Sequence, residues 1–82
     1  MAHHYEQPAV LQAIDEFCDV WQISLPEYSA SFVSMFKKRI PPEQRDWDPQ
    51  EKKWSVSEKY LAVAEELVTE HFPGAEIERC EP

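Results

Sequence analysis

The chain has 82 residues, 43% of them hydrophobic, and its 16 acidic and eight basic residues give a net charge of −8. This length predicts one domain with a modest core, and the single glycine argues against a glycine-rich phosphate-binding loop. No apolar stretch approaches the roughly 20 residues of a membrane-spanning helix, so we expect a cytoplasmic protein with no membrane association.

The charge is distributed unevenly along the chain. Residues 1–36 contain five acids and no Lys or Arg, and residues 60–82 contain six acids and one Arg, so each segment carries −5. Residues 37–59 contain seven bases and five acids and carry +2. Because neutralised phosphates supply much of the affinity of nucleic-acid-binding proteins, only 37–59 is a candidate anion-binding surface. The plainer interpretation is a solvated face whose bases pair with nearby acids.

The first predicted element is a helix over 8–19. Pro8 suits the first helical position, and Val10, Ile14 and Phe17 recur at helical spacing opposite acidic residues. The wide apolar face of this helix also suggests a homo-oligomer that forms through it.

A strand and a second helix are predicted next. Trp21 and Ile23 alternate with polar residues, which is typical of a half-buried strand over 20–26. Ser29 or Ser31 can cap the helix that follows. Three basic residues fall in its last turn, where cations complement the helix dipole: Lys37, Lys38 and Arg39.

A hairpin with an Asp-Pro turn follows the second helix. With a turn at 48–51, Trp47 pairs with Lys52 and Arg45 with Trp54, so these four side chains share one face. Trp54 leads into the next helix, and we expect it to be buried. Trp47 lies beside the turn, where exposure and burial are about equally compatible with the sequence.

The longest predicted helix comes after the hairpin. Ser55 and Glu58 have the spacing of a capping box, and Ser57 is a competing cap. Apolar residues over 60–72 recur at helical spacing opposite acids, and a Pro-Gly pair ends the helix. A short edge strand over 75–79 completes the chain.

These elements predict an α+β fold, with an N-terminal helix followed by a split β-α-β-β-α-β unit. The helices would pack on one face of a small, mainly antiparallel sheet. We expect a single domain over 8–79, with flexible ends at 1–7 and 80–82. The predicted core consists of large apolar residues: Trp21, Phe32, Phe36, Trp54, Leu61, Leu67 and Phe72.

The segment from Phe32 to the last helix resembles HARP-like modules. The resemblance rests on Phe32-Val33, Ile40-Pro41 and the hairpin pattern Arg45-x-Trp47-Asp48-Pro49-x-x-Lys52-x-Trp54-x-Val56. Such modules occur beside annealing-helicase motors, in phage helicases and in small uncharacterised bacterial and phage proteins. The resemblance implies a module that contributes to the recognition of branched or partly single-stranded DNA.

We therefore predict a contact face at the hairpin and the end of the second helix. Its candidate nucleic-acid-binding residues are Arg45, Trp47, Lys52, Lys53, Lys37, Lys38 and Arg39. The rival hypothesis is an acidic protein-binding or DNA-mimicking regulator of phage or bacterial origin, since the acids over 1–27 and 65–81 would attract a basic partner. The partner is thus a protein, or else single-stranded or forked DNA.

No residue pattern in the sequence predicts a reaction. No phosphate loop and no nucleophile-histidine arrangement stands out, and Cys18 and Cys80 lack the spacing of a zinc site. We expect a non-catalytic protein with no cofactor and no metal.

Overall fold

The computed structural model describes residues 5–81, in which five strands and two α-helices form. In chain order these are β1 (Ala9–Ala13), β2 (Val20–Ser24), α1 (Ala30–Arg39), β3 (Arg45–Asp48), β4 (Lys53–Ser57), α2 (Leu61–His71) and β5 (Ile77–Cys80). The strands form one sheet in the order β3-β4-β2-β1-β5, which is antiparallel except for the β1–β5 pair. The α+β class and the mainly antiparallel sheet are confirmed.

The predicted N-terminal helix over 8–19 is wrong, because this segment forms β1 and a tight turn. Every second residue of β1 is buried, namely Ala9, Leu11 and Ala13. The segment is so short that its apolar residues fit this period of two as well as a helical period. β1 pairs with β2 on one side and with β5 on the other. This tertiary pairing overrides the helical preference of its Ala, Leu and Gln residues. The homo-oligomer predicted through that helix loses its basis.

The buried residues lie on one face of the sheet and on the helices that cover it. On the central strands the buried side chains alternate with partly exposed ones, as the sheet period requires. All seven predicted core residues are buried. The opposite face is open and carries polar side chains in register across the strands: Asp46, Ser55, Gln22, Gln12 and Cys80.

A continuous series of aromatic rings runs through this core. Successive ring centroids lie 5.1, 4.8, 5.5, 6.0 and 5.7 Å apart, within the range of favourable ring contacts. The series is Trp47, Trp54, Phe36, Phe32, Phe72 and Tyr5. The hairpin is thereby packed against α1 through its two tryptophans.

Capping differs from the prediction at one of the two helices. Ser29 begins α1, and its Oγ accepts a hydrogen bond from the backbone N–H of Phe32 at 3.1 Å. The predicted capping box of Ser55 and Glu58 is wrong, because Ser55 lies within β4 and Glu58 begins a 3-10 turn that precedes α2. The Oγ of Ser57, the competing cap, is buried and has no hydrogen-bond partner among the described residues.

The chain ends were predicted to be flexible at 1–7 and 80–82. Residues 1–4 and 82 lie outside the described residues. Tyr5 packs edge to face on Phe72, and Cys80 is the last residue of β5. Within 5–81, neither helix is long and apolar enough to cross a bilayer.

Candidate functional site

The β3–β4 hairpin places Trp47 directly opposite Trp54. The predicted pairing of Trp47 with Lys52 is wrong by two residues, because the loop comprises residues 49–52 and Asp48 still pairs with Lys53. A shift of two residues preserves the alternation of side chains. Trp47 and Trp54 therefore share the face that was predicted for them.

The hairpin loop is specified by its own residues. The Oδ1 atom of Asp48 accepts hydrogen bonds from the backbone N–H groups of Gln50 at 3.0 Å and Glu51 at 3.2 Å. The N–H of Lys52 donates to the carbonyl oxygen of Asp48 at 2.7 Å, and Lys52 adopts a φ of 56°. Pro49 suits the turn position after Asp48. The Asp-Pro pair thus fixes the loop and the register of both strands.

A concave groove of about 930 Å³ lies between the hairpin and α1. We call it the Trp47 groove, and it is lined mainly by Leu25, Tyr28, Val33, Lys37, Trp47 and Trp54. Trp54 is only 5% exposed and packs on Phe36 of α1, whereas Trp47 is 44% exposed and Tyr28 is 80% exposed. Two exposed aromatic side chains therefore line a groove that rests on a buried tryptophan.

Charges of both signs line the Trp47 groove. The side chains that carry them belong to Glu27, Lys37, Arg45 and Lys52, whereas Asp46 borders the groove from β3 with its side chain on the open face of the sheet. The Nζ atom of Lys37 lies 5.9 Å from the centroid of the Trp54 ring. The Nε atom of Arg45 donates a hydrogen bond to the carbonyl oxygen of Ile40 at 2.9 Å, so this guanidinium also holds the chain that leaves α1. The groove is not a uniformly positive surface.

The structure separates the seven predicted contact residues. Four of them line the groove: Lys37, Arg45, Trp47 and Lys52. Lys53 alternates with Trp54 and therefore lies on the open face of the sheet. Arg39 forms an ion pair with Glu66 of α2 at 3.5 Å. Lys38 is exposed on α1 and does not line the groove.

Sequence reasoning missed Tyr28 and Glu27 as groove residues. Both lie in the segment between β2 and α1, and Tyr28 immediately precedes the capping Ser29. An apolar side chain just before an N-cap often packs near the first helical turn, and this was the available signal. Their proximity to Trp47 follows from the pairing of β2 with β4, which no local pattern specifies.

A second exposed apolar surface lies at the turn between β1 and β2, where Ile14 and Phe17 are exposed. Cys18 follows them with a φ of 56°, and its carbonyl oxygen accepts a hydrogen bond from Nε1 of Trp21 at 2.9 Å. Burial raises the pKa of the Cys18 thiol, and four carboxylates raise it further: Glu81, Asp15, Glu58 and Asp19. This thiol is therefore a weak nucleophile at neutral pH.

Among the described residues, no group of three or more His, Cys, Asp or Glu side chains is arranged to hold a metal ion. Comparisons of the chain with protein-family models, with curated proteins and with solved structures find no match.

Proposed function

We propose that the chain is a non-catalytic interaction module that binds a segment of a partner protein in the Trp47 groove. The exposure of Trp47 carries this proposal. Trp47 is 44% exposed, yet its indole packs on that of Trp54, with the two ring centroids 5.1 Å apart. Tryptophan and tyrosine are enriched among the residues that dominate binding energies. A ring already held by a buried neighbour loses little conformational entropy when a partner covers it.

The charge of the chain favours a protein ligand over a nucleic acid. A net charge of −8 repels phosphates, and the groove itself combines three cations with the carboxylate of Glu27. One of the three cations, Arg45, already donates a hydrogen bond to Ile40. A polypeptide can present both charge signs and apolar side chains, and so it can match a groove of mixed character.

Selection from a displayed library of random peptides against the intact protein tests the proposal. We expect the selected peptides to bind Trp47→Ala about tenfold more weakly, or worse, because the variant loses the exposed aromatic contact. Phe17→Ala is the matched control, since Phe17 is also an exposed aromatic residue but does not line the groove. Peptides that bind all three proteins equally well would contradict the proposal.

Single-stranded nucleic acid is the second candidate ligand. Trp47 and Tyr28 are both exposed in the same groove, together with Lys37 and Lys52. Aromatic rings on which bases stack, combined with cations that follow the backbone, are typical of single-strand binders. The resemblance to HARP-like modules implies the same ligand.

Fluorescence anisotropy with labelled single-stranded, duplex and forked DNA in a salt series tests this candidate. Binding through the groove would be abolished by Lys52→Glu and retained by Lys53→Glu, because Lys53 lies on the opposite face of the sheet. Absence of binding by the unmutated protein at low salt would eliminate nucleic acid as the ligand.

A further inference from the structure

Within residues 5–81, the outer edge of β3 presents backbone groups without a strand partner beside the Trp47 groove. β3 is the last strand of the sheet and has β4 as its strand neighbour. The carbonyl oxygen of Asp48 accepts from the N–H of Lys52, the loop residue that precedes β4, and therefore lies on the β4 side of β3. The backbone N–H and C=O of one residue point to the same side of a strand, and those of the next residue point to the other side. The backbone groups of Arg45 and Trp47 therefore point away from β4. The N–H of Arg45 donates to the carbonyl oxygen of Pro42. The carbonyl of Arg45 and the backbone N–H and C=O of Trp47 have no backbone partner in the described part of the chain.

These three groups match the edge of an incoming strand. An antiparallel segment placed beside β3 would exchange two hydrogen bonds with Trp47 and donate one to the carbonyl oxygen of Arg45. Side chains of that segment would alternate between the two faces of the sheet. Those on the helix-covered face would enter the Trp47 groove next to Trp47 itself.

The other face of the same edge is acidic. Asp46 and Asp48 alternate with Arg45 and Trp47, so their side chains lie on the open face of the sheet. Asp46 also lines a shallow hollow of about 190 Å³ there, together with Ser55 and Ser57. Its cross-strand neighbour Ser55 carries no charge to neutralise it, whereas Asp48 lies opposite Lys53 of β4. A basic side chain on the incoming strand, opposite Asp46, would be stabilised by cross-strand attraction.

The same two acids disfavour pairing of β3 with a second copy of itself. In an antiparallel pair formed through the outward groups of Arg45 and Trp47, Asp46 of one chain lies opposite Asp46 or Asp48 of the other. Like charges that face each other directly across strands are destabilising, and charged edges prevent strand-to-strand association. The acidic side chains of β3 therefore disfavour pairing with a second copy of β3 and favour pairing with a basic strand.

From this geometry we infer that the partner segment binds by adding a strand to the outer edge of β3. Its apolar side chains occupy the Trp47 groove, and its Lys or Arg side chains, at the alternate positions, face Asp46 and Asp48. This inference rests on the proposed function of the groove and specifies the conformation and the chemistry of its ligand.

Synthetic peptides of about six residues, the ordinary length of a strand, provide the test. The first alternates Lys with Val, the second alternates Glu with Val, and the third has the first sequence with N-methyl groups on the peptide nitrogens that would face β3. Binding to the intact protein is measured by calorimetry, and amide exchange at Trp47 is followed by NMR. We expect the Lys-Val peptide to bind at least about tenfold more tightly than either of the others. It should also slow exchange of the Trp47 N–H.

Protein variants complete the design. Asp46→Asn should weaken binding of the Lys-Val peptide severalfold, whereas Glu70→Gln, which removes an exposed acid from α2, should leave it unchanged. Failure of the Lys-Val peptide to bind, or equal binding of the N-methylated peptide, would overturn the added strand. If displayed peptides still depended on Trp47 in that case, the groove would remain the contact face and only the strand geometry would be wrong. If they did not, both proposals would fail.

Discussion

The indole ring of Trp47 packs at 51° against that of Trp54, with their centroids 5.1 Å apart, although Trp47 is half exposed and Trp54 is buried. The two residues lie directly opposite each other as a non-hydrogen-bonded pair of the antiparallel ladder. In such pairs the side chains come closest together. One ring therefore belongs to the core, and the other is held in place by it at the surface.

Replacing each of these tryptophans with alanine should have very different effects on stability. We expect Trp54→Ala to lower the free energy of unfolding by about 3–5 kcal/mol, because it leaves a cavity beneath the groove. Trp47→Ala should cost less, about 1.5–2.5 kcal/mol, because it removes one ring pair and the burial of about half of one indole. Urea denaturation followed by circular dichroism measures both values. Equal losses for the two variants would contradict the assignment of Trp47 to a surface role.

Two serines that the sequence identifies as helix caps should respond to alanine in opposite ways. Ser29→Ala removes the hydroxyl that accepts from Phe32 and should destabilise the protein by about 1 kcal/mol. The buried hydroxyl of Ser57 lacks a hydrogen-bond partner in the described part of the chain, so Ser57→Ala should raise stability by up to about 1 kcal/mol. Thermal denaturation of both variants shows whether each substitution lowers or raises the stability of the protein. A destabilised Ser57→Ala would show that this hydroxyl has a partner.

Those elements whose residues follow one clear period were predictable from the sequence. α1 and α2 have long apolar stripes; a capping serine precedes α1, and the hairpin precedes α2. In β2, apolar and polar side chains alternate around Trp21. The segment Ala9–Ala13 is short and fits both periods, and the acids that follow it resemble a polar helix face. In the structure one of these acids, Asp15, accepts from the N–H of Asp19 and helps to close a turn. No local pattern shows that β1 will lie between two neighbouring strands.

The groove was only partly predictable for the same reason. The hairpin pattern identified Trp47 and the residues that share its face, because alternation is a local property. Tyr28 approaches the hairpin only after β2 has paired with β4. Sequence spacing also could not show that Arg39 pairs with Glu66 on the other helix, which removes it from the expected basic surface.

The substitution Lys52→Gly should stabilise the hairpin. Lys52 has a φ of 56°, a left-handed conformation that costs a residue with a side chain about 1–2 kcal/mol relative to glycine. Part of this gain is offset by the greater entropy of glycine in the unfolded chain, so we expect Lys52→Gly to add about 0.5 kcal/mol. Lys53→Gly is the matched control, because Lys53 lies in β4, and it should cost about 1 kcal/mol. Chemical denaturation of the two variants tests the difference, and a loss of stability in both would contradict the loop geometry.

Alkylation of Cys18 should require a more alkaline solution than alkylation of an unstructured cysteine peptide. Burial raises the pKa of the Cys18 thiol, and nearby carboxylates, of which Glu81 has the largest effect, raise it further. A raised pKa leaves less of the reactive thiolate at any given pH, so the rise in alkylation rate should be displaced to higher pH. Mass spectrometry after timed iodoacetamide treatment resolves Cys18 from Cys80. Glu81→Gln should move the Cys18 profile part of the way back, whereas Glu43→Gln, at a residue that does not affect this thiol, should not. A Cys18 profile that coincides with that of the peptide would show that the turn neither buries the thiol nor surrounds it with acids.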